Sequence, residues 1–125
     1  MANILLVDDN ESLRTAYSGF ITQMGHTVTT VSSVAEALEY LAANTPDLLL
    51  IDMLMPKMNG AELLQQYDIL NTHPTVKAIA FSNLDEPIIE AKALSLGASL
   101  YINKSHTTPQ ELAEAITGVL AQQAR

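Results

Sequence analysis

The chain has 125 residues, 48% of them hydrophobic, with 14 acids against 6 bases, three histidines and no cysteine. That size and apolar content suit one domain, residues 1–125, around one substantial core. The missing cysteine excludes disulfides and thiolate metal sites, and a formal charge of −8 with scattered lysines and arginines opposes direct binding to nucleic acid.

No apolar run approaches the roughly 20 residues that span a bilayer, and the N-terminus lacks the basic region and cleavage site of a signal peptide. The expected location is cytoplasmic, without membrane insertion.

The first strand is predicted over Asn3–Val7, where "ILLV" runs directly into Asp8 and Asp9. A helix follows, with Leu13, Ala16, Tyr17, Phe20, Ile21 and Met24 on one stripe and Gly25 as its stop. After a strand at Thr27–Val31, Ser33-Val-Ala-Glu36 forms a capping box: Ser33 can satisfy a free amide and Glu36 can reach back to the cap. Val34, Ala37, Leu38 and Leu41 then face inward.

The third strand, Asp47–Ile51, carries "LLLI" up to Asp52, and a helix after Gly60 presents Leu63, Leu64, Tyr67 and Leu70. A fourth strand at Val76–Phe81 leads to Ser82 and Asn83, and a fourth helix runs from about Pro87 to Leu96 before Gly97. The fifth strand, Ser99–Ile102, leads to Asn103 and Lys104. The fifth helix opens with Thr108-Pro-Gln-Glu111, a cap, a proline at the first helical position and a boxed glutamate, and buries Leu112, Ile116, Val119 and Leu120.

Five alternations of strand and helix imply an α/β fold with parallel pairing, since each helix carries the chain back across the sheet. The continuous runs "ILLV" and "LLLI" fit inner strands covered on both faces. Right-handed crossovers then bring the strand C-terminal ends to one edge, where open parallel sheets bind ligands.

Three acids, Asp8, Asp9 and Asp52, would converge at that edge with the Ser82 hydroxyl and the Lys104 amine. Three carboxylates there repel one another unless something positive joins them. Lys104 can supply one charge, and a hard divalent cation with oxygen ligands, Mg²⁺ above all, can supply the rest. Each residue also has a plainer reading. Asp8, Asp9 or Asn10 could cap the first helix, Asp52 could begin a turn toward Pro56, Ser82 could be a loop hydroxyl, and Lys104 could be solvated.

Together these residues resemble the response-regulator receiver family over essentially the whole chain. "LLVDDN" resembles the family's acidic pair, "LLLIDMLMPKMNG" its D-x-x-M-P-x-x-x-G phosphorylation loop, and Ser82 and Lys104 its hydroxyl and lysine positions. The resemblance implies a doubly wound, flavodoxin-like, five-stranded parallel sheet in the order 2-1-3-4-5.

It implies that Asp52 accepts a phosphoryl group from the phosphohistidine of a histidine kinase or phosphotransfer protein. Asp9 would bind Mg²⁺ directly with Asp52 and the carbonyl of Leu54, and Asp8 would contribute directly or through water. Lys104 would pair with the phosphoryl oxygens. Ser82 and Tyr101 would be the switch that reshapes the face of the fourth helix, fifth strand and fifth helix for a downstream partner, and phosphorylation-dependent dimerisation through that face is compatible with it. A carboxylate nucleophile needs no activating base, so His26, His73 and His106 are read as loop residues. The alternative is a receiver-like interaction module that signals without phosphorylation.

Three departures from the family pattern stand out. Ser105 replaces the proline that commonly follows the lysine, and a cis bond without proline costs about 2.5–4 kcal/mol, so a trans Lys104–Ser105 bond is expected. Asn83 replaces a small alanine beside the hydroxyl residue. Leu54 and Leu84 occupy positions that influence hydrolysis in the family. Neither can orient an attacking water, so slow self-dephosphorylation is expected.

Overall fold

The computed structural model describes residues 2–53, 60–72, 75–82, 87–103 and 107–123. The five strands are β1 (Asn3–Val7), β2 (Thr27–Val31), β3 (Leu48–Asp52), β4 (Lys77–Ser82) and β5 (Leu100–Asn103). They form one parallel sheet in the order β2-β1-β3-β4-β5, the expected doubly wound arrangement.

Alternation along the inner strands sorts side chains to two faces. Leu5 and Val7 of β1 join Leu49 and Ile51 of β3 in a cluster closed by α2 (Val34–Ala43), α3 (Gly60–Tyr67) and α5 (Pro87–Ser95). Ile4 and Leu6 join Leu48, Leu50, Ile79 and Phe81 in the opposite cluster, closed by α1 (Glu11–Gln23) and α6 (Pro109–Gln123). The Tyr17 and Phe81 rings meet edge to face at 5.8 Å in this second cluster. Each fully buried Leu, Ile or Phe contributes on the order of 1.5–3 kcal/mol. The sheet is therefore fixed from both sides. Ala16, expected on the inner stripe of α1, is exposed beside buried Tyr17.

Three strands end one residue later than the apolar runs predict, so Asp52, Ser82 and Asn103 are terminal strand residues rather than loop residues. The ladder explains the shift: Asp52 pairs with Phe81, and Ser82 with Asn103. Backbone pairing continues where apolar side chains stop.

The third helix is also shorter than its apolar pattern. It ends at Tyr67, Asp68 adopts a left-handed φ of 54°, and a separate helical turn, α4 (Ile69–Thr72), follows. Asp68 closes α3 by donating its backbone N–H to the Leu64 carbonyl at 3.0 Å, and its carboxylate accepts from Asn71 Nδ2 at 2.9 Å. Left-handed geometry is tolerated by Asp because its short side chain can bond locally. The fourth and fifth expected helices are thus α5 and α6.

The two helices predicted from capping boxes start at them, with one variation. At α6 the box closes fully, Thr108 N–H donating to Glu111 Oε1 at 2.9 Å and Glu111 N–H to Thr108 Oγ1 at 3.1 Å. At α2, Ser33 Oγ accepts from Glu36 N–H at 3.2 Å, but Glu36 reaches past the cap and accepts from the Ser32 amide at 2.7 Å and hydroxyl at 2.6 Å. Those two bonds, with a smaller contribution from the Arg14 charge, hold the Glu36 carboxyl below its usual range. The expected stops at Gly25 and Gly97 have φ of 98° and 112°, which favour glycine. Among the described residues no helix is long and apolar enough to cross a membrane.

Candidate functional site

Among the described residues the buried polar ones are Asp8, Asp52 and Ser82, and all three lie at the C-terminal edge of the sheet. Burying such groups is costly unless their bonds are supplied, so their shared address needs an explanation in the neighbouring backbone.

Asp8 follows β1 and is fully enclosed. Its N–H extends the β1–β2 ladder to the Val31 carbonyl at 3.2 Å. Its Oδ1 accepts from the Asn10 N–H at 2.9 Å, and its carbonyl accepts from Arg14 Nη1 at 2.7 Å. Asn10 is the residue that caps α1, its Oδ1 accepting from Leu13 N–H at 3.1 Å. The choice left open by the sequence among Asp8, Asp9 and Asn10 is settled in favour of Asn10, and neither acid is used as the cap.

Asp52 ends β3 and is 4% exposed. The next residue, Met53, donates its N–H to the Phe81 carbonyl at 2.9 Å, so the Asp52 main chain is gripped on both sides by β4 pairing. The start of α3 presses on it from above. A methyl group placed on Gly60 would lie 2.6 Å from the Asp52 carbonyl oxygen and 2.6 Å from Ile51 Cγ2. Only glycine lets the helix approach this closely. The motif contains this glycine, but its contact with the Asp52 carbonyl is visible only in three dimensions.

The geometry brings Asp8, Asp9 and Asp52 together, each offering a carboxylate oxygen within 4.8 Å of the others. Asp8 and Asp52 are buried and Asp9 is exposed. At an effective dielectric of about 20, two carboxylates at that separation repel by about 3–4 kcal/mol. An all-oxygen donor set with one open side suits Mg²⁺, which accepts few carboxylates and retains waters. The residues present fit the ion.

Ser82 ends β4, fully buried, and pairs in register with Asn103. Tyr101 is half-buried on β5, opposite Ala80, and packs against the cluster under α2, α3 and α5. Because alternate residues share a face, Ser82 lies on the same side of β4 as Ala78 and Ala80, which belong to that cluster. Ser82 and Tyr101 therefore occupy one sheet face on adjacent strands, one pleat repeat apart.

Lys104, Leu54, Asn83, Leu84 and the Lys104–Ser105 bond lie outside the described residues, as do His73 and His106. His26 precedes β2 at the opposite end of the sheet, where its Nδ1 accepts from the Ala2 N–H at 3.1 Å. Burial, and then the nearby positive N-terminus, lower its pKa. It faces away from the acidic edge, as a loop residue would.

Arg14 and Gly60 are the site neighbours whose contacts sequence reading missed. A signal existed for Arg14, since side chains in a helix's first turn lean toward its N-terminus and a long one can reach the preceding loop.

The sequence matches the family described as "Response regulator receiver domain" over residues 4–117. The DNA-binding transcriptional regulator NtrC of Escherichia coli (strain K12) is 38% identical over 116 residues, covering 90% of this chain and 23% of that protein. Regulator of RpoS from the same strain is 34% identical over 94 residues, covering 75% of this chain and 27% of that protein. The chain spans less than half the length of these curated relatives.

Among solved structures, a CheY-like response regulator receiver domain protein from Methanospirillum hungatei JF-1 superimposes with a TM-score of 0.91. It is 27% identical, and the match covers 99% of this chain and 97% of that one. The family match begins in β1 and ends in α6, and it encloses every strand that delivers an acid or hydroxyl to the C-terminal edge. The chain belongs to the response regulator receiver domain family of two-component signalling.

Proposed function

We propose that Asp52 is the phosphoryl acceptor of this receiver and that Asp8, Asp9 and Asp52 hold Mg²⁺ beside it, with the Leu54 carbonyl as a further ligand. The observation that carries this reading is the convergence of the three carboxylates at the strand ends. Bound there, Mg²⁺ supplies positive charge against the phosphoryl oxygens.

In the step itself, an Asp52 carboxylate oxygen attacks phosphorus while the P–N bond of a phosphohistidine breaks. The bonding pair leaves with the imidazole nitrogen, and the product is an acyl phosphate. A carboxylate nucleophile attacks through an oxygen that carries no proton, so Asp52 needs no general base. Phosphoryl transfer chiefly requires alignment and neutralisation of spreading negative charge, so the main task of the chain is to hold Asp52 still and present donors. The β4 ladder and Gly60 do the first. The Ser82 hydroxyl and the Lys104 ammonium do the second.

Ser82 donating to a phosphoryl oxygen would leave space along its sheet face, into which Tyr101 turns. That movement couples the site to the surface of α5, β5 and α6, which a downstream partner reads. The phosphodonor is a histidine kinase or histidine phosphotransfer protein, residues 1–125 act as one receiver domain, and the setting is cytoplasmic. With leucine at both 54 and 84, side chains that cannot orient an attacking water, the acyl phosphate is long-lived.

Incubation with Mg²⁺ and acetyl phosphate, read by intact mass, tests the reading. One added phosphate on the native chain and none on Asp52→Asn is the expected result. No adduct on the native chain, or one that survives the substitution, would overturn it.

A further inference from the structure

Of the three clustered acids, Asp9 has the least direct support. It is exposed, and among the described residues no hydrogen bond reaches its carboxylate. Its position is therefore inherited from the backbone on either side. Arg14 holds both sides: its N–H donates to the Asn10 carbonyl at 2.9 Å, and its Nη1 donates to the Asp8 carbonyl at 2.7 Å.

The second bond matters more. A planar peptide unit places the Asp8 carbonyl, the Asp9 nitrogen and the Asp9 Cα in one rigid plane, so fixing the oxygen fixes where the Asp9 side chain begins. The Asp8 carboxylate makes a third tie by accepting from the Asn10 N–H. Residues 8 to 10 form a clamped turn with Asp9 at its open tip.

We propose that Arg14 is a positioning residue for the cation site: its guanidinium, bonded to the Asp8 carbonyl, orients the Asp8–Asp9 peptide so that Asp9 meets Asp8 and Asp52 around Mg²⁺. This rests on the metal-binding reading above. The charge on Arg14 acts in the opposite direction, because a guanidinium near the site repels a cation. Removing Arg14 would tighten Mg²⁺ binding if charge dominated and weaken it if orientation dominates. The sign of the change is the discriminating quantity.

The test follows the Asp9 and Asn10 backbone amides by NMR during Mg²⁺ titration of the native chain, Asp52→Asn, Arg14→Gln and Arg14→Lys. The acetyl phosphate reaction is measured alongside as a function of Mg²⁺. Absence of any saturable response in the native chain would remove the metal-binding reading itself. Given a native response, Arg14→Gln should raise the half-saturating Mg²⁺ by about 10-fold or more, in the range seen for groups that orient metal ligands. Most of the reaction rate should return at high Mg²⁺, a split that general destabilisation would not produce.

Arg14→Lys keeps the charge and a donor, so it should fall between native and Arg14→Gln. Equal or tighter Mg²⁺ binding in a folded Arg14→Gln would overturn the proposal. If Arg14→Gln does not fold by circular dichroism, Arg14→Lys decides: a native half-saturation there would overturn it.

Discussion

The two ends of the sheet use the same kinds of polar residue for opposite purposes. At the N-terminal end, Asp47 spends its carboxylate on the Asn3 N–H at 2.8 Å. Its own N–H bonds the Asn3 carbonyl at 2.8 Å, and its carbonyl accepts from the Lys77 N–H at 3.1 Å. That acid joins three strands and is the one acid in its cluster of bonds. At the C-terminal end, two buried acids and one exposed acid are gathered within 4.8 Å. The first arrangement supplies its acid with bonds, whereas the second sets carboxylate beside carboxylate, a repulsion that the cation proposed above would relieve. A carboxylate's role here is decided by its neighbours rather than by its type.

The largest disturbance of this contrast should come from Gly60. Gly60→Ala drives a methyl into the Asp52 carbonyl, which is backbone and cannot swing aside as the nearby Met53 Sδ could, and should destabilise by about 1–3 kcal/mol in urea unfolding while slowing phosphorylation. Gly118→Ala is the matched control: nothing lies within 4 Å of the added methyl, and the helix should gain about 0.5–1 kcal/mol. Equal effects at the two glycines would remove the close-packing argument.

Asp47→Ala should cost about 1 kcal/mol through the lost Asn3 bond. Phosphorylation should proceed, because the damage lies at the other end of the sheet. Loss of phosphorylation in a folded Asp47→Ala would show that the two ends are coupled.

The smallest effect concerns His26, whose neutral Nδ1 accepts the Ala2 N–H. Its folded pKa lies below the ordinary 6.5, so the unfolded chain binds the proton first. Stability from this group is complete above about pH 6.5 and declines as pH falls from there through the folded pKa. Between pH 7.5 and 5.5, urea midpoints should drop slightly more for the native chain than for His26→Gln. A steeper drop in the variant would reverse the assignment.

Much of this was legible in sequence. "ILLV" and "LLLI" gave the covered inner strands, and glycines at 25 and 97 marked real left-handed stops. The acids and Ser82 were legible because apolar runs end at them. The one-residue strand extensions were not, since backbone pairing at Asp52 and Ser82 leaves no mark in hydropathy. The break at Asp68 was hidden because the apolar spacing from Tyr67 to Leu70 continues through a residue whose φ is 54°. Glu36 bonding Ser32 instead of Ser33 depended on a second serine beside the cap. Sequence periodicity reports which face is buried, and it is silent on where a local side chain finds a better partner.

The most direct measurement of the central claim is urea unfolding of the native chain and Asp52→Asn, each with and without Mg²⁺. Relief of carboxylate repulsion predicts that Asp52→Asn is the more stable of the two without metal, by about 1–3 kcal/mol. Mg²⁺ should then stabilise the native chain more than the variant, as a ligand that binds only the folded state does. An Asp52→Asn chain that is less stable than native without metal, together with a native chain indifferent to Mg²⁺, would contradict the account.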